Sequence, residues 1–318
     1  MPSTLPLLFK MTKTLTCGFV ALSLLAWTAD SASAQAWVGH PNSLSLSLDY
    51  NYVASDRVIE ERGSEAAPVD DIRNHNIIIG AEYVPIERLA VSARIPIIST
   101  TYKGDPDNPV ASFPRHGRYD DGSFHTVLQD FHLQARYMVK DGLFAISPHL
   151  AVTIPMTDYE TVGYAGAGRG LRKAHLGVSV GKYFLSGLPG LFLHGQGEYV
   201  LAEGYKTGFD ETSDYNQDYA KLGGMVGYFI TPRLDIHLAA DLHYSIDGFE
   251  FEDWLEVSQP VRDFHDPLLR ERFFHIGGGI SYQVIDGVRA TLFGRKWLTG
   301  AQTRDADLLG VSVAWDVL

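Results

Sequence analysis

Strict alternation of apolar and polar side chains limits this chain more than any other feature of its sequence. In residues 42–53, Leu44, Leu46, Leu48, Tyr50 and Tyr52 alternate with Ser43, Ser45, Ser47, Asp49 and Asn51. A strand sends successive side chains to opposite faces, so this stretch has one apolar and one polar face, whereas a helix would scatter the same residues around its circumference. The pattern recurs in His75–Val84, with Ile77, Ile79, Ala81 and Tyr83 on one side. It continues after Pro85-Ile86-Glu87-Arg88 with Leu89, Val91, Ala93, Ile95 and Ile97. Further strands are expected near 128–139, 143–155, 173–184, 191–201, 218–230, 234–246, 272–284, 288–298 and 307–318. That makes about 12 strands, each close to the ~9–11 residues that cross a bilayer at a tilt.

The connections sort by length. Short links at 85–88, 140–142, 185–190, 231–233 and 285–287 are rich in the Pro, Gly and Asp that tight turns require. Long ones are expected at 55–74, 99–127, 156–172, 202–217, 247–271 and 299–306. An even number of strands with alternating short and long links describes an all-β, transmembrane, antiparallel up-and-down β-barrel, with both termini and every short turn on the periplasmic side. A soluble β-sandwich also alternates its faces but has no reason to sort its links in this way.

The first residues read as an export segment. Lys10 and Lys13 precede the apolar run Cys17–Trp27, and Ala32-Ser33-Ala34 supplies small residues for cleavage. Residues 1–34 are therefore expected to be a signal peptide, with 35–318 a single barrel domain. The apolar run is shorter than the roughly 20 residues of a membrane-spanning helix. The only cysteine, Cys17, lies inside this segment, so the mature chain owes nothing to disulfides. Losing two lysines and Asp30 moves the net charge from −12 to −13. Such an acidic chain repels nucleic-acid phosphates, and no nucleic-acid partner is expected.

With the apolar sets facing lipid, the interleaved polar sets face inward. Candidate pore-lining residues are Glu82, Arg94, Asp130, His132, Arg136, His149, Glu198, Lys221, Asp235, His237, Asp241, His243, His275 and Arg295. Gln134, His175, His194, Gln196 and Arg289 share those faces. Both signs are present, so a network of luminal ion pairs is expected, because unpaired charges there would need water. The Thr231-Pro232-Arg233 turn places Ile230 opposite Leu234, Lys221 opposite His243 and Phe229 opposite Asp235. Glu82 and Arg94 become diagonal neighbours.

Asp235-x-His237 and Asp241-x-His243 invite a metal or acid–base reading, since a carboxylate fixes an imidazole tautomer. A zinc site needs three or four converging ligands and only pairs are visible, so no metal or other cofactor is expected. Asp241 and His243, towards the outer rim, are the best candidates for a surface hydrolase. No Gly-x-Ser-x-Gly elbow or Ser–His pairing accompanies them, and the expectation is a non-enzyme.

The outer loops are acidic, with Glu60, Glu61, Glu65, Asp70 and Asp71 in the first and Glu250, Glu252, Asp253, Glu256, Asp263 and Asp266 in the fifth. Such faces are ordinarily solvated; they also suit cation-bridged contact with lipopolysaccharide. Phe249, Phe251 and Trp254 are candidates for an inward constriction. The expected partners are outer-membrane lipids, lipopolysaccharide, the barrel assembly machinery and a small solute. The last strand ends on Leu318 with Trp315 three residues earlier, unlike the terminal aromatic that the assembly machinery reads.

One segment resembles a known family. Gln129-Asp130-Phe131-His132-Leu133-Gln134-Ala135-Arg136-Tyr137, then Ile154-Pro155-Met156-Thr157-Asp158-Tyr159, then His175-Leu176-Gly177-Val178-Ser179-Val180-Gly181-Lys182 are similar to strands of the outer-membrane proteins associated with the meta-pathway of phenol degradation. The chain departs from that pattern at Gln129 and Met156. The resemblance implies a transporter-like outer-membrane barrel for small, including aromatic, compounds, and brings no catalytic residues. The leading expectation is a passive channel; the alternative is a structural barrel filled by its own side chains, which a barrel this narrow permits.

Overall fold

The computed structural model describes residues 36–59, 67–104, 118–142, 144–205, 215–253 and 255–318. The expected signal peptide, and Glu60, Glu61, Glu65 and Trp254 of the outer loops, lie outside these residues. Twelve antiparallel strands close into a barrel. They are β1 Leu44–Ile59, β2 Ala67–Ile86, β3 Leu89–Lys103, β4 in two pieces His125–Leu128 and Asp130–Tyr137, β5 Phe144–Pro155 and β6 Lys173–Tyr183. Then follow β7 Leu191–Ala202, β8 Tyr219–Thr231, β9 Leu234–Ser245, β10 Arg272–Ile285, β11 Val288–Ala301 and β12 Asp307–Asp316. β12 pairs with β1 from Ser45↔Asp316 to Ala54↔Asp307, and β1 pairs with β2, so the sheet has no free edge. Closure satisfies every strand's backbone groups without water, which is what a bilayer demands.

The two faces of each strand separate as the alternation predicts. Leu150, Leu176 and Leu238 are 63%, 61% and 65% exposed, values expected only of a wall that meets lipid. The intervening residues, Ser147, His149, Ser179, Asp235 and Ser312 among them, are buried inside.

Register follows the short turns. Lys221 pairs with His243 and Phe229 with Asp235, as expected. At the turn itself Leu234 pairs with Thr231 rather than Ile230, because one residue bulges between them. β4 breaks at Gln129, opposite Pro96. The proline has no N–H to donate, so Gln129 instead gives its own N–H to the Pro96 carbonyl at 3.0 Å.

The outer connections depart from expectation in two places. The first was expected to span 55–74, yet β1 runs to Ile59 and β2 begins at Ala67, which leaves a link no longer than 184–190 on the opposite side. Ser55, Asp56, Arg57, Asp71 and Arg73 are thus strand residues. A hairpin projecting beyond the bilayer can be polar on both faces, so its alternation fades without the strand ending. The last connection also tightens: Gln302 turns at φ 53°, and Thr303–Arg304 pairs with the end of β1. Elsewhere short and long links alternate as expected. The fifth outer loop carries two short helices, α1 Gln259–Asp263 and α2 His265–Leu268, over a cluster of Phe249, Val261 and Leu268.

Candidate functional site: the filled lumen

All fourteen candidate pore-lining residues stand on inward-facing positions, and most are engaged with one another. On the β2–β5 side, Arg136 donates from one Nη2 to both oxygens of Glu82 at 3.2 and 3.1 Å. Arg94 is a diagonal neighbour of Glu82, since Gly80 pairs with Arg94 and Glu82 with Ser92. Next comes a histidine relay: His132 Nδ1 lies 3.1 Å from Thr153 Oγ1, which lies 2.8 Å from His175 Nε2. Glu198 then accepts from His175 Nδ1 at 3.0 Å and from His149 Nε2 at 3.3 Å, with Lys221 Nζ at 3.6 Å. One carboxylate therefore gathers three potential cations from β5, β6 and β8.

A second ladder runs over β9–β11. Asp235 accepts from Arg289 at 2.6 Å and stands 3.4 Å from His237 Nδ1. Asp241 accepts from Arg295 Nε at 2.9 Å. His243 is sandwiched between Tyr219 and Phe273, with ring centroids 4.6 and 4.8 Å away, and its Nε2 meets Ser245 Oγ at 3.3 Å. His275 gives its Nε2 to the Ala306 carbonyl at 2.9 Å. The Asp241/His243 pair proposed as a hydrolytic couple is thus built differently: the carboxylate serves an arginine and the imidazole sits in an aromatic stack. Among the described residues no group of three or more His, Cys, Asp or Glu is arranged to hold a metal ion.

Part of the interior is also tightly packed. Arg136 and His149 are each 2% exposed, Asp235 is 4% and Arg295 is 7%, in a region where a water-filled pore would leave them wet. Glycine makes room for this packing. A Cβ on Gly177 would lie 2.3 Å from His149 Nε2, and one on Gly277 would lie 1.9 Å from the Gly294 carbonyl oxygen. Gly177 thus leaves room for the His149 ring from the neighbouring strand, and Gly277 lets the Gly294 backbone approach closely.

Both ends are covered as well. At the short-turn end the chain enters the mouth before β1. Ala36 is fully buried against Met138 and Ala145, its carbonyl accepts from Ser147 Oγ at 2.5 Å, and Trp37 packs on Tyr183 at 4.2 Å. Phe192 and Phe229, 5.1 Å apart, extend this aromatic layer across β7 and β8. At the outer end the third loop folds over the lumen: Tyr159 donates to Asp130, and Arg169 binds Gln217 and the Leu269 carbonyl. Burial, and then the Asp130 charge beside it, push the Tyr159 hydroxyl above the usual phenol range, so it remains a proton donor. Asp266, in the first turn of α2, caps the same loop by accepting from the Gly163 N–H at 2.7 Å. Phe249 and Phe251 pack within the fifth-loop cluster.

The sequence reading missed the segment 36–38, Tyr159, Arg169, Gln217 and Asp305. Trp37 was the one available signal, an aromatic in an otherwise bland stretch after the export segment.

No protein-family model matches the sequence, and no curated protein matches it significantly. Among solved structures, the fold is similar to the COG4313 outer membrane channel from Pseudomonas putida F1. The TM-score is 0.65 at 10% identity, covering 91% of this chain and 100% of that one. The NanC porin is also similar, with a TM-score of 0.50 at 9% identity, covering 85% of this chain and 98% of that one. At these identities the likeness is one of fold: this chain shares the architecture of outer-membrane channels.

Proposed function

We propose that the protein is an outer-membrane channel for passive passage of small solutes, held here in a closed conformation. The carrying observation is the sorting of side chains: an apolar outer wall around paired luminal charges, among them Arg136–Glu82, His175–Glu198 and Arg295–Asp241. Fixed charges of both signs inside a membrane-spanning barrel are the means by which pores select solutes. The shared architecture with outer-membrane channels supports this reading and the outer-membrane location. The aromatic faces at Tyr219, His243 and Phe273, with Tyr183, Phe192 and Phe229 nearer the mouth, suit planar apolar solutes. That agrees with the resemblance to the phenol meta-pathway barrels. Removal of a signal peptide at 34 belongs to the same reading.

A structural barrel without transport is the second reading, favoured by the burial of Arg136, His149 and Asp235. Planar-bilayer recording separates the two. Opening requires the layer around Trp37 to move, so Trp37→Ala, which removes its contact with Tyr183, should raise the open probability of the refolded protein. Absence of current in both the parent and Trp37→Ala, across voltages and salts, would favour the structural barrel. Lipid or peptide hydrolysis abolished by His243→Ala would overturn the non-enzyme reading.

A further inference from the structure

At the short-turn end of the lipid-facing wall, two lysines are held by aromatic rings and, among the described residues, not by carboxylates. Lys182, near the end of β6, has its Nζ 4.5 Å from the Phe144 ring centroid and 4.4 Å from that of Phe184. Lys140 approaches the same Phe144 ring at 5.8 Å, and its backbone bridges Ile146, which fixes where it leaves the turn. Asp141, the nearest acid in sequence, turns its carboxylate to the Gly142 N–H at 2.6 Å. Three other exposed cations of the chain do have acids: Arg57 has Asp305 at 2.7 Å, Arg233 has Asp286 at 3.1 Å and Lys296 has Asp307 at 2.5 Å.

The surroundings define the depth of this pair. Phe144, Leu185, Leu188 and Val139 are 47%, 76%, 61% and 52% exposed, an apolar collar at the level where strands give way to turns. Aromatic rings with adjacent lysines mark the boundary between acyl chains and headgroups. Above the collar the outward face continues with Leu176, Val178 and Val180, a surface for an acyl chain. In a chain of net charge −12, two ammonium groups with no acid partner among the described residues, converging on one ring at headgroup depth, match a phosphate.

We propose that Lys140 and Lys182 form a binding site for the phosphate of a glycerophospholipid in the membrane leaflet on the short-turn side, with anionic phosphatidylglycerol preferred. The ring faces of Phe144 and Phe184 hold the ammoniums in place by cation–π attraction, so little side-chain freedom is lost when the phosphate arrives.

The test uses the whole refolded barrel in a neutral detergent, titrated with phosphatidylglycerol and followed by native mass spectrometry. Each juxtamembrane lysine contributes about a fivefold change in affinity for anionic lipid. The combined Lys140→Gln and Lys182→Gln variant should therefore bind about thirtyfold more weakly. Lys296→Gln, at the far end of the barrel, should bind as the parent does. Replacing both lysines with arginine, which keeps the charge and the ring contact, should retain binding. Should the double glutamine variant fail to refold, Lys182→Gln alone carries the comparison. Unchanged affinity in the glutamine variants, or equal binding of uncharged diacylglycerol by the parent, would overturn the site. Neither result bears on conductance, so this proposal and the channel reading fail separately.

Discussion

Replacing Glu82 by alanine tests whether the lumen is filled by side chains or by water. Glu82 accepts two hydrogen bonds from Arg136, whose side chain is 2% exposed against 13% for the glutamate. Its removal leaves a buried guanidinium without its carboxylate and with Arg94 nearby on the same wall. In a dry interior, deleting one partner of such a pair costs about 3–5 kcal/mol, because the remaining charge keeps its desolvation penalty. In a water-filled pore the same pair is worth only ~0–1 kcal/mol. The two conditions are thus separated by several kcal/mol, well beyond the error of a denaturant titration. The assay is reversible urea unfolding in lipid vesicles, read by tryptophan fluorescence and by heat-modifiable gel migration. Glu82→Leu combined with Arg136→Met supplies the internal check, since replacing a buried pair with apolar groups of similar volume is near neutral. A loss below about 1 kcal/mol in Glu82→Ala would refute the filled lumen.

Two further outcomes follow from single contacts. Gly277→Ala forces a methyl group onto the Gly294 carbonyl oxygen at 1.9 Å, backbone that cannot rotate away, and should cost about 1–3 kcal/mol by the same titration, as overpacking does. In the second outer loop, His125 and then the Ser123 N–H hold the Asp121 carboxylate below the usual aspartate range. Its contribution is therefore complete above the ordinary aspartate value and disappears as pH falls through the depressed one. Amide exchange over 118–125 should accelerate only in that acidic window, and Asp121→Asn should remove the pH dependence.

The strands were legible because one face meets lipid and the other meets charge, so a slip of one residue would place Leu150 or Leu238 inside and His149 or His237 in hydrocarbon. Short turns fixed which residues are opposite, and Lys221↔His243 was readable from Thr231-Pro232-Arg233 alone. Side-chain partners between neighbouring strands were not readable. Glu198 joins His149 and His175 from neighbouring strands through side-chain reach and a missing Cβ at Gly177, neither of which leaves a periodic signal. The coverings of the two mouths were hidden for a related reason: Ala36 against Ser147 and Asp266 against Gly163 connect segments far apart in sequence. The length of the first hairpin was misjudged because projecting strands lose the lipid constraint that makes alternation visible.

The seam between β1 and β12 has a consequence for how the molecule comes into being. Ser45 Oγ donates to Asp316 across 271 residues of chain, and ten consecutive pairs continue that seam up to Ala54↔Asp307. β1 must remain unpaired on one side until β12 is in place. Insertion therefore cannot proceed hairpin by hairpin to a stable product, because each partial sheet presents two hydrogen-bonding edges that lipid cannot satisfy. A chain cut before Asp307 would leave β1 without its β12 partner and the sheet with open edges.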